Sequence, residues 1–217
     1  MTLSAAPRIL AGVSPERPER YHHGDLPNAL KAAAIDVITE KGVAGFSLRE
    51  VARRAGVSHA APAHHFGDSA GLLTALATDA LEVLHRHIDE ALDGIDDPVE
   101  RLVAAGRAYV DAGVRYPAFA EVTFRRDVLD VDDPAYQGAA ERAYASLVGV
   151  LEQVRDQRNP DLDVALAARH CWATMQGLLV LYPMMAGRAE RHGPPIENIL
   201  ALAEHMARLT VGGLLGN

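Results

Sequence analysis

The segment from Ser47 to His65 constrains the fold of this 217-residue chain more than any other, because it predicts two short helices joined by a tight turn. Ser47 and Glu50 form a capping-box pattern, in which the Ser hydroxyl accepts from a helical N–H and the carboxylate reaches back to the cap. Gly56 suits a left-handed turn after the first helix, and Ser58 stands where a residue would cap the second. With a helix on either side, the pair predicts a helix-turn-helix.

The rest of the chain also predicts helices, so the expected fold class is all-α. Residues 1–20 contain three prolines and no hydrophobic period, and we expect a disordered arm there. Residues 21–67 are then a three-helix helix-turn-helix domain, and residues 68–217 a larger helical domain. After residue 92 the predicted helices are Pro98–Arg115, Ala118–Arg126, Ala135–Arg158, 161–182 and 196–215.

Charge and cysteine content limit the partners that the chain can have. The net charge of −8 argues against nucleic acid when it is taken over the whole chain. Residues 1–70, however, hold eight Lys and Arg against seven Asp and Glu, so the acidity belongs to residues 71–217. Cys171 is the only cysteine, which excludes an intramolecular disulfide and suits a reducing cytoplasm. The longest uncharged run, Cys171–Gly187, is short for a membrane span.

Three stretches near the N-terminus carry a family resemblance: YHHGDL from Tyr21, G-x-x-x-F-S-L-R-E-V-A-R-R-A-G-V-S from Gly42 to Ser58, and His65-Phe66 shortly before Asp68. Together they resemble the DNA-binding domain of bacterial tetracycline-repressor-type (TetR-family) transcription regulators. The run from Trp172 to Gly177 resembles a motif of one subgroup, a Trp, four residues and a Gly, although Gln176 stands where that subgroup usually has His.

The resemblance implies a homodimer that binds a palindromic DNA operator and is released by a small hydrophobic effector. Two departures from the family pattern bear on this expectation: Ala63 replaces a Tyr of the recognition helix, and Ser69 replaces a Lys. In relatives both side chains touch phosphates, and such contacts supply most of the sequence-independent affinity for DNA.

The expected DNA-binding residues fall into two groups by the chemistry of their contacts. Candidates for contact with base edges are Arg49, whose guanidinium can form two hydrogen bonds with guanine, and residues of the second helix that donate a hydrogen bond or touch a thymine methyl. The residues of this group are Arg49, His59, Ala60 and His64, and Ser58 is expected to bind DNA as the start of the segment Ser58–His65. Phosphate contacts are expected from Tyr21, His22, His23, Ser47 and His65.

The two last helices predict the dimer interface, and the first of them also predicts a ligand pocket. Helix 161–182 has two apolar seams, so it has to face its own core and a second surface. Helix 196–215 combines a seam of large residues with small ones, Ala203 and Ala207, that would allow close approach of a second copy. The expected pocket is lined by Tyr109, Phe119, Phe124, Trp172, Met175 and Gln176.

No pattern in the sequence predicts a metal site, a cofactor or catalysis. The ten histidines include pairs but no spacing typical of metal ligands, and no nucleophile motif occurs. The expected function is therefore a cytoplasmic, ligand-responsive transcriptional regulator, most simply a repressor, and not an enzyme. The alternative is a helical small-molecule-binding accessory protein of the same fold with weakened or lost operator binding, which Ala63 and Ser69 motivate.

Overall fold

The computed structural model describes residues 26–186 and 196–216, which form nine α-helices and one short 3₁₀ turn. The predicted arm of residues 1–20 lies outside the described residues, as do Tyr21, His22 and His23. The helices are α1 Leu26–Lys41, α2 Leu48–Ala55, α3 Ala61–Phe66, α4 Ser69–Leu92, α5 Pro98–Arg115, α6 Pro117–Thr123, α7 Pro134–Gln157, α8 Val164–Ala186 and α9 Ile196–Leu215; the 3₁₀ turn is Val43–Gly45.

The chain divides into two compact units, residues 1–72 and 73–217. The sequence boundary at 67/68 precedes α4, whereas the structural boundary lies inside this helix. In the first unit α1 packs against α2 and α3. Its small core is apolar, because each helix contributes one buried face to it. Its most buried large side chains are Leu30, Val37, Ile38, Val51, Pro62 and Leu72.

The turn between α2 and α3 forms at glycine, as the sequence predicts. Gly56 has φ 69° and ψ 29°, the left-handed conformation that glycine adopts without steric cost. The N–H of Val57 donates to the carbonyl of Ala52 over 3.0 Å and closes the helix end. The prediction that Ser58 caps α3 is wrong, because α3 begins at Ala61, its N-cap is Ala60 and no side chain makes a capping hydrogen bond there.

The second unit is built around α5, which packs against α6, α7, α8 and α9. Asp97 caps α5 by accepting from the N–H groups of Val99 and Glu100, and Pro98 occupies the first turn. The caps of α4 and α7 are also local, since Asp68 accepts from the N–H of Gly71 and Asp133 from that of Tyr136. These caps fix where the long helices begin.

Helix α8 is the most apolar helix of this unit. Within the described residues, its segment Val164–Leu181 is long and apolar enough to cross a membrane by length and composition, with a mean hydropathy of 1.2. In the fold, α5, α7 and α9 pack against α8, although only 28% of this segment is buried. The helix therefore presents apolar surface that its own unit leaves uncovered.

Candidate functional site

Helices α2 and α3 present a polar face on an apolar base. Val51, Ala52, Ala55 and Pro62 are buried beneath them. The predicted base and phosphate contacts in this part of the chain are all exposed and lie on α2, on α3 or in the turn between them; they are Ser47, Arg49, Ser58, His59, Ala60, His64 and His65. The structure thus brings these side chains to the solvent on neighbouring segments, which DNA contact requires.

Other cations of the first unit are held in a network around Glu50. This carboxylate accepts from Lys41 Nζ over 3.2 Å, from Arg53 Nε over 2.9 Å and from Arg54 Nε over 3.1 Å. Arg54 also donates to Glu40 over 2.8 Å. These hydrogen bonds lower the pKa of the Glu50 carboxyl, and the bond from Arg53 has the largest effect. The bond from Arg54 likewise lowers the pKa of the Glu40 carboxyl.

This network corrects half of the predicted capping box. The hydroxyl of Ser47 accepts from the N–H of Glu50 over 3.2 Å, as expected. The Glu50 carboxylate does not return to the cap, however, because the three basic side chains occupy it. The spacing of Glu50 to Arg53 and Arg54 is visible along α2, but the contacts with Glu40 and Lys41 are not, because these two residues belong to α1.

Arg49 differs from its basic neighbours on α2. It is exposed and has no ion-pair partner within the described part of the chain. Its guanidinium is therefore available to DNA without first breaking an internal bond. Ala63 and Ser69, the two departures from the family pattern, are also exposed. Because neither side chain is charged, neither position supplies a cation to this face.

Two small apolar cavities lie among the described residues of the second unit, where the sequence predicts one pocket. The first, of about 50 Å³, is lined by residues of α4, α5, α7, α8 and α9, including Trp172 and Met175. The second, of about 40 Å³, is lined by residues of α4, α5, α6 and α8, including Phe119 and Phe124. Tyr109 lines both cavities. No charged side chain lines either of them.

Tyr109 is the centre of a hydrogen-bond chain. Trp172 Nε1 donates to its hydroxyl over 3.0 Å, and the hydroxyl donates to Gln176 Oε1 over 2.8 Å. Burial raises the pKa of the Tyr109 phenol to about 12, although the bond from Trp172 acts in the opposite direction. The phenol is thus neutral at physiological pH and can both accept and donate.

Two predicted pocket residues differ from expectation in their surroundings. Trp172 was expected in the interior, but it is 45% exposed and packs against Tyr144 with ring centroids 6.4 Å apart. Gln176 lies outside both cavity linings and reaches them through Tyr109. Sequence periodicity could not show this, because it assigns a helix face without saying which neighbours cover it.

The described residues show no group of three His, Cys, Asp or Glu side chains that could hold a metal ion. Cys171 lies against the first cavity, and burial raises the pKa of its thiol to about 11, so the thiolate is scarce at neutral pH. Asp111 is a buried carboxylate that accepts from His87 and Arg115 on the same oxygen. The bond from His87 joins α4 to α5, that from Arg115 lies within α5, and the other oxygen, Asp111 Oδ1, is buried without a hydrogen-bond partner among the described residues.

A second exposed face lies on α8 and α9 and is apolar. Leu166, Val180 and Leu209 are 60%, 54% and 64% exposed. Leu166 and Val180 are fourteen residues apart with exposed Ala173 midway, a spacing that keeps all three on one side of α8. The prediction that small residues of α9 mediate a close contact between copies is wrong, because Ala203 and Ala207 are buried in the subunit's own core.

Two family models match the chain. Residues 30–76 match the model of bacterial regulatory proteins of the tetR family, and residues 102–209 match that of the tetracyclin repressor-like C-terminal domain. Together they cover most of both structural units. The first model includes α2 and α3, and the second includes most of the residues around the two cavities.

Individual relatives agree with these models. The chain is 36% identical over 90 residues to the class A tetracycline repressor from transposon 1721 of Escherichia coli, a match that spans 42% of this chain and 41% of that protein. It is 28% identical over 166 residues to an HTH-type transcriptional repressor of Mycobacterium tuberculosis, covering 72% and 73% of the two chains.

A solved structure extends the likeness over nearly the whole fold. A protein of unknown function from Rhodococcus sp. RHA1 is 27% identical and superposes with a TM-score of 0.71, covering 91% of this chain and 100% of that one. The all-α architecture predicted from the sequence is thereby confirmed.

Proposed function

We propose that this chain, which belongs to the tetR family of bacterial regulatory proteins, is a cytoplasmic transcriptional repressor that binds a palindromic operator and is released by a small apolar effector. That it is a transcriptional regulator and not an enzyme follows from the family and from the regulators that it resembles. The observation that carries the DNA-binding part is the polar face of α2 and α3, which stands on an apolar base and exposes Arg49, for which residues 26–186 and 196–216 offer no ion-pair partner.

The apolar face of α8 and α9 supports the homodimer. A large apolar face is costly to leave in water, and a second copy covers it with an identical surface through two-fold symmetry. Leu166, Val180 and Leu209 would lie in this interface. Dimerisation presents two identical reading helices to one DNA, which is why the operator is expected to be palindromic.

The cavities support the effector. Tyr109, Phe119, Phe124, Trp172 and Met175 line them, and Gln176 is bonded to Tyr109. Helix α4 carries lining residues such as Leu84 and Ile88 and begins in the first unit, so a ligand that shifts α4 acts on the first unit through the chain itself. A coupling free energy of about 1–3 kcal/mol, common in allostery, gives substantial derepression.

Selection of genomic fragments by the purified full chain tests the proposal. We expect a palindromic site to be enriched, and fluorescence anisotropy on that site to show a dimer bound per duplex. Failure to enrich any sequence at low salt would contradict operator binding.

The alternative, an accessory protein that has lost operator binding, is favoured by the ion-pair network. Lys41, Arg53 and Arg54 are engaged by acidic side chains, and Ala63 and Ser69 supply no cation. The double substitution Ala63→Tyr and Ser69→Lys discriminates between the two functions. If the enriched site is bound by the wild type and more tightly by the double variant, the protein is a repressor with reduced phosphate contact. If neither binds any fragment selectively, the accessory function is supported.

A further inference from the structure

The two cavities of the second unit follow each other along one groove. On α4, Ile88 lines the first cavity and Leu84 the second. On α8, Met175 lines the first and Leu179 the second. Each pair is four residues apart, about one helical turn or 5.4 Å. The cavities are therefore successive segments of a groove between α4, α5 and α8.

Two glycines of α5 allow side chains of α8 to pack closely against α5 along this groove. A Cβ at position 106 would meet Met175 Sδ at 3.3 Å, and one at position 113 would meet Leu179 Cδ1 at 2.6 Å. Gly106 and Gly113 lie on either side of Tyr109 in sequence, one beside each cavity. Glycine inside a helix costs about 1 kcal/mol of helix stability relative to Ala. Its presence beside both cavities therefore indicates that the side chains of α8 need this space on the face of α5.

Tyr109 lies at the boundary of the two segments, since both linings share it and the other α5 residues of the first lining precede it while those of the second follow it. Its ring is held by the bonds of its hydroxyl to Trp172 and Gln176. Both partners are partly exposed, so water can replace the phenol as their partner when these bonds break. The separation is thus maintained by two replaceable hydrogen bonds.

Neither cavity alone is large enough for an organic effector. An apolar cavity of about 150 Å³ holds benzene, whereas these cavities measure about 50 and 40 Å³. If the phenol turned aside, the space of its ring would join them. The joined space would be elongated along the helices, and its uncharged lining would disfavour a charge on the part of the ligand that it encloses.

We propose that Tyr109 is a gate whose side chain turns out of this groove to join the two cavities into one channel, and that the effector is a molecule with an unbranched apolar chain. This inference rests on the effector-binding part of the proposed function and specifies the chemical class of the effector. Compact effectors such as single-ring compounds would gain little binding free energy from the second segment. An unbranched chain gains binding free energy from every methylene that enters this segment.

Trp172 makes the gate measurable in the full chain. It is the only tryptophan, it lines the first cavity, and it donates to the Tyr109 hydroxyl. The probes are primary alcohols from 1-butanol to 1-decanol, with cyclohexanol as the compact control. We expect saturable changes in Trp172 fluorescence, and an affinity that rises about fourfold per methylene over the longer alcohols. An affinity that stops rising after the shortest alcohols would overturn the proposal, because the chain would then occupy one cavity only.

Tyr109→Phe separates a gate from a simple cavity wall. This variant keeps the ring but loses both hydrogen bonds, so the gate opens more readily and we expect about tenfold tighter binding of 1-decanol. The matched control is Tyr136→Phe, a buried tyrosine of α7 outside both linings, which we expect to leave the affinity unchanged. Equal affinities in Tyr109→Phe and the wild type would overturn the gate.

The same samples distinguish failure of the gate from failure of the proposed function. Anisotropy on the selected DNA site, with and without 1-decanol, reports on regulation independently of Trp172. DNA binding that 1-decanol releases, without an effect of Tyr109→Phe on either readout, contradicts the gate and leaves the repressor function intact. Chain-length dependence and tighter binding in Tyr109→Phe, without any selective DNA complex, support the gate and contradict the repressor.

Discussion

The two exposed helical faces of the molecule differ in chemistry. The face of α2 and α3 is polar, and its side chains include an arginine and three histidines above a small apolar base. The face of α8 and α9 exposes Leu166, Val180 and Leu209. A polar face with hydrogen-bond donors suits DNA, while an apolar face suits a protein surface of the same kind. Under the proposed function the two faces therefore serve different partners, DNA and a second copy of the chain, which do not compete for one surface.

The largest expected effect comes from reversing the chemistry of the apolar face. Leu166→Glu combined with Leu209→Glu places charges where two copies would meet, so we expect a monomer in size exclusion with light scattering at micromolar concentration. Affinity for the operator should fall about a hundredfold or more, because the two half-sites are no longer bound by one linked pair. The control Gln153→Glu adds a charge at an exposed position of α7 and should remain dimeric. A dimeric double variant would show that the interface lies elsewhere.

The next effect tests the polar face. Arg49→Ala removes the basic side chain of α2 that has no ion-pair partner among the described residues, and we expect operator affinity to fall about tenfold, since a good base contact is worth about 1–3 kcal/mol. Arg53→Ala is the matched control on the same helix. Because Arg53 is bonded to Glu50, its loss should weaken binding less. Anisotropy titrations measure both, and a larger loss in Arg53→Ala would contradict the assignment.

A smaller effect concerns the packing that shapes the groove in the second unit. Gly113→Ala should lower the free energy of unfolding by about 1 kcal/mol, because its Cβ forces Leu179 to turn. Gly149→Ala, on α7 with no atom within 4 Å of the added Cβ, should instead raise it by up to about 1 kcal/mol through helix propensity. Urea unfolding measures both changes. Equal effects at the two positions would show that α5 and α8 are not tightly packed at Gly113.

The smallest effect concerns the ion pairs of the first unit. Glu50→Gln should release Lys41, Arg53 and Arg54 from a shared acceptor and raise operator affinity a few-fold. The slope of log affinity against log salt concentration should become steeper by about 0.9 for each newly neutralised phosphate. The wild type should accordingly show a shallow salt slope. A Glu50→Gln variant with the wild-type slope would show that these cations do not reach the DNA.

The same substitution has a pH signature. The folded pKa of Glu50 lies below its ordinary value of 4.5, so its stabilisation is present above that value and is lost as the pH falls through the folded pKa. The Tm of the wild type should therefore exceed that of Glu50→Gln near neutral pH, and the difference should shrink in acid. A difference that grows in acid would contradict this ion-pair assignment.

Local chemistry in the sequence was sufficient for the helices and for the turn at Gly56. Asp68, Asp97, Asp133 and Gly56 act on backbone groups within a few residues, which is why α4 and α5 have the predicted bounds. The DNA-binding segment was recognisable for the same reason, because its helices follow one another directly along the chain. The sequence also places Leu166 and Val180 on one face of α8.

What the tertiary structure decided involves residues far apart along the chain. The bond of Tyr109 to Gln176 joins positions 67 residues apart, and that of Trp172 to Tyr109 joins positions 63 apart. Periodicity within one helix carries no information on such partners. It therefore predicted one pocket where the fold makes two cavities, an interior Trp172 where the side chain is half-exposed, and small residues of α9 at an interface where they fill the core. These outcomes depend on which helices pack together, and only the folded chain determines that.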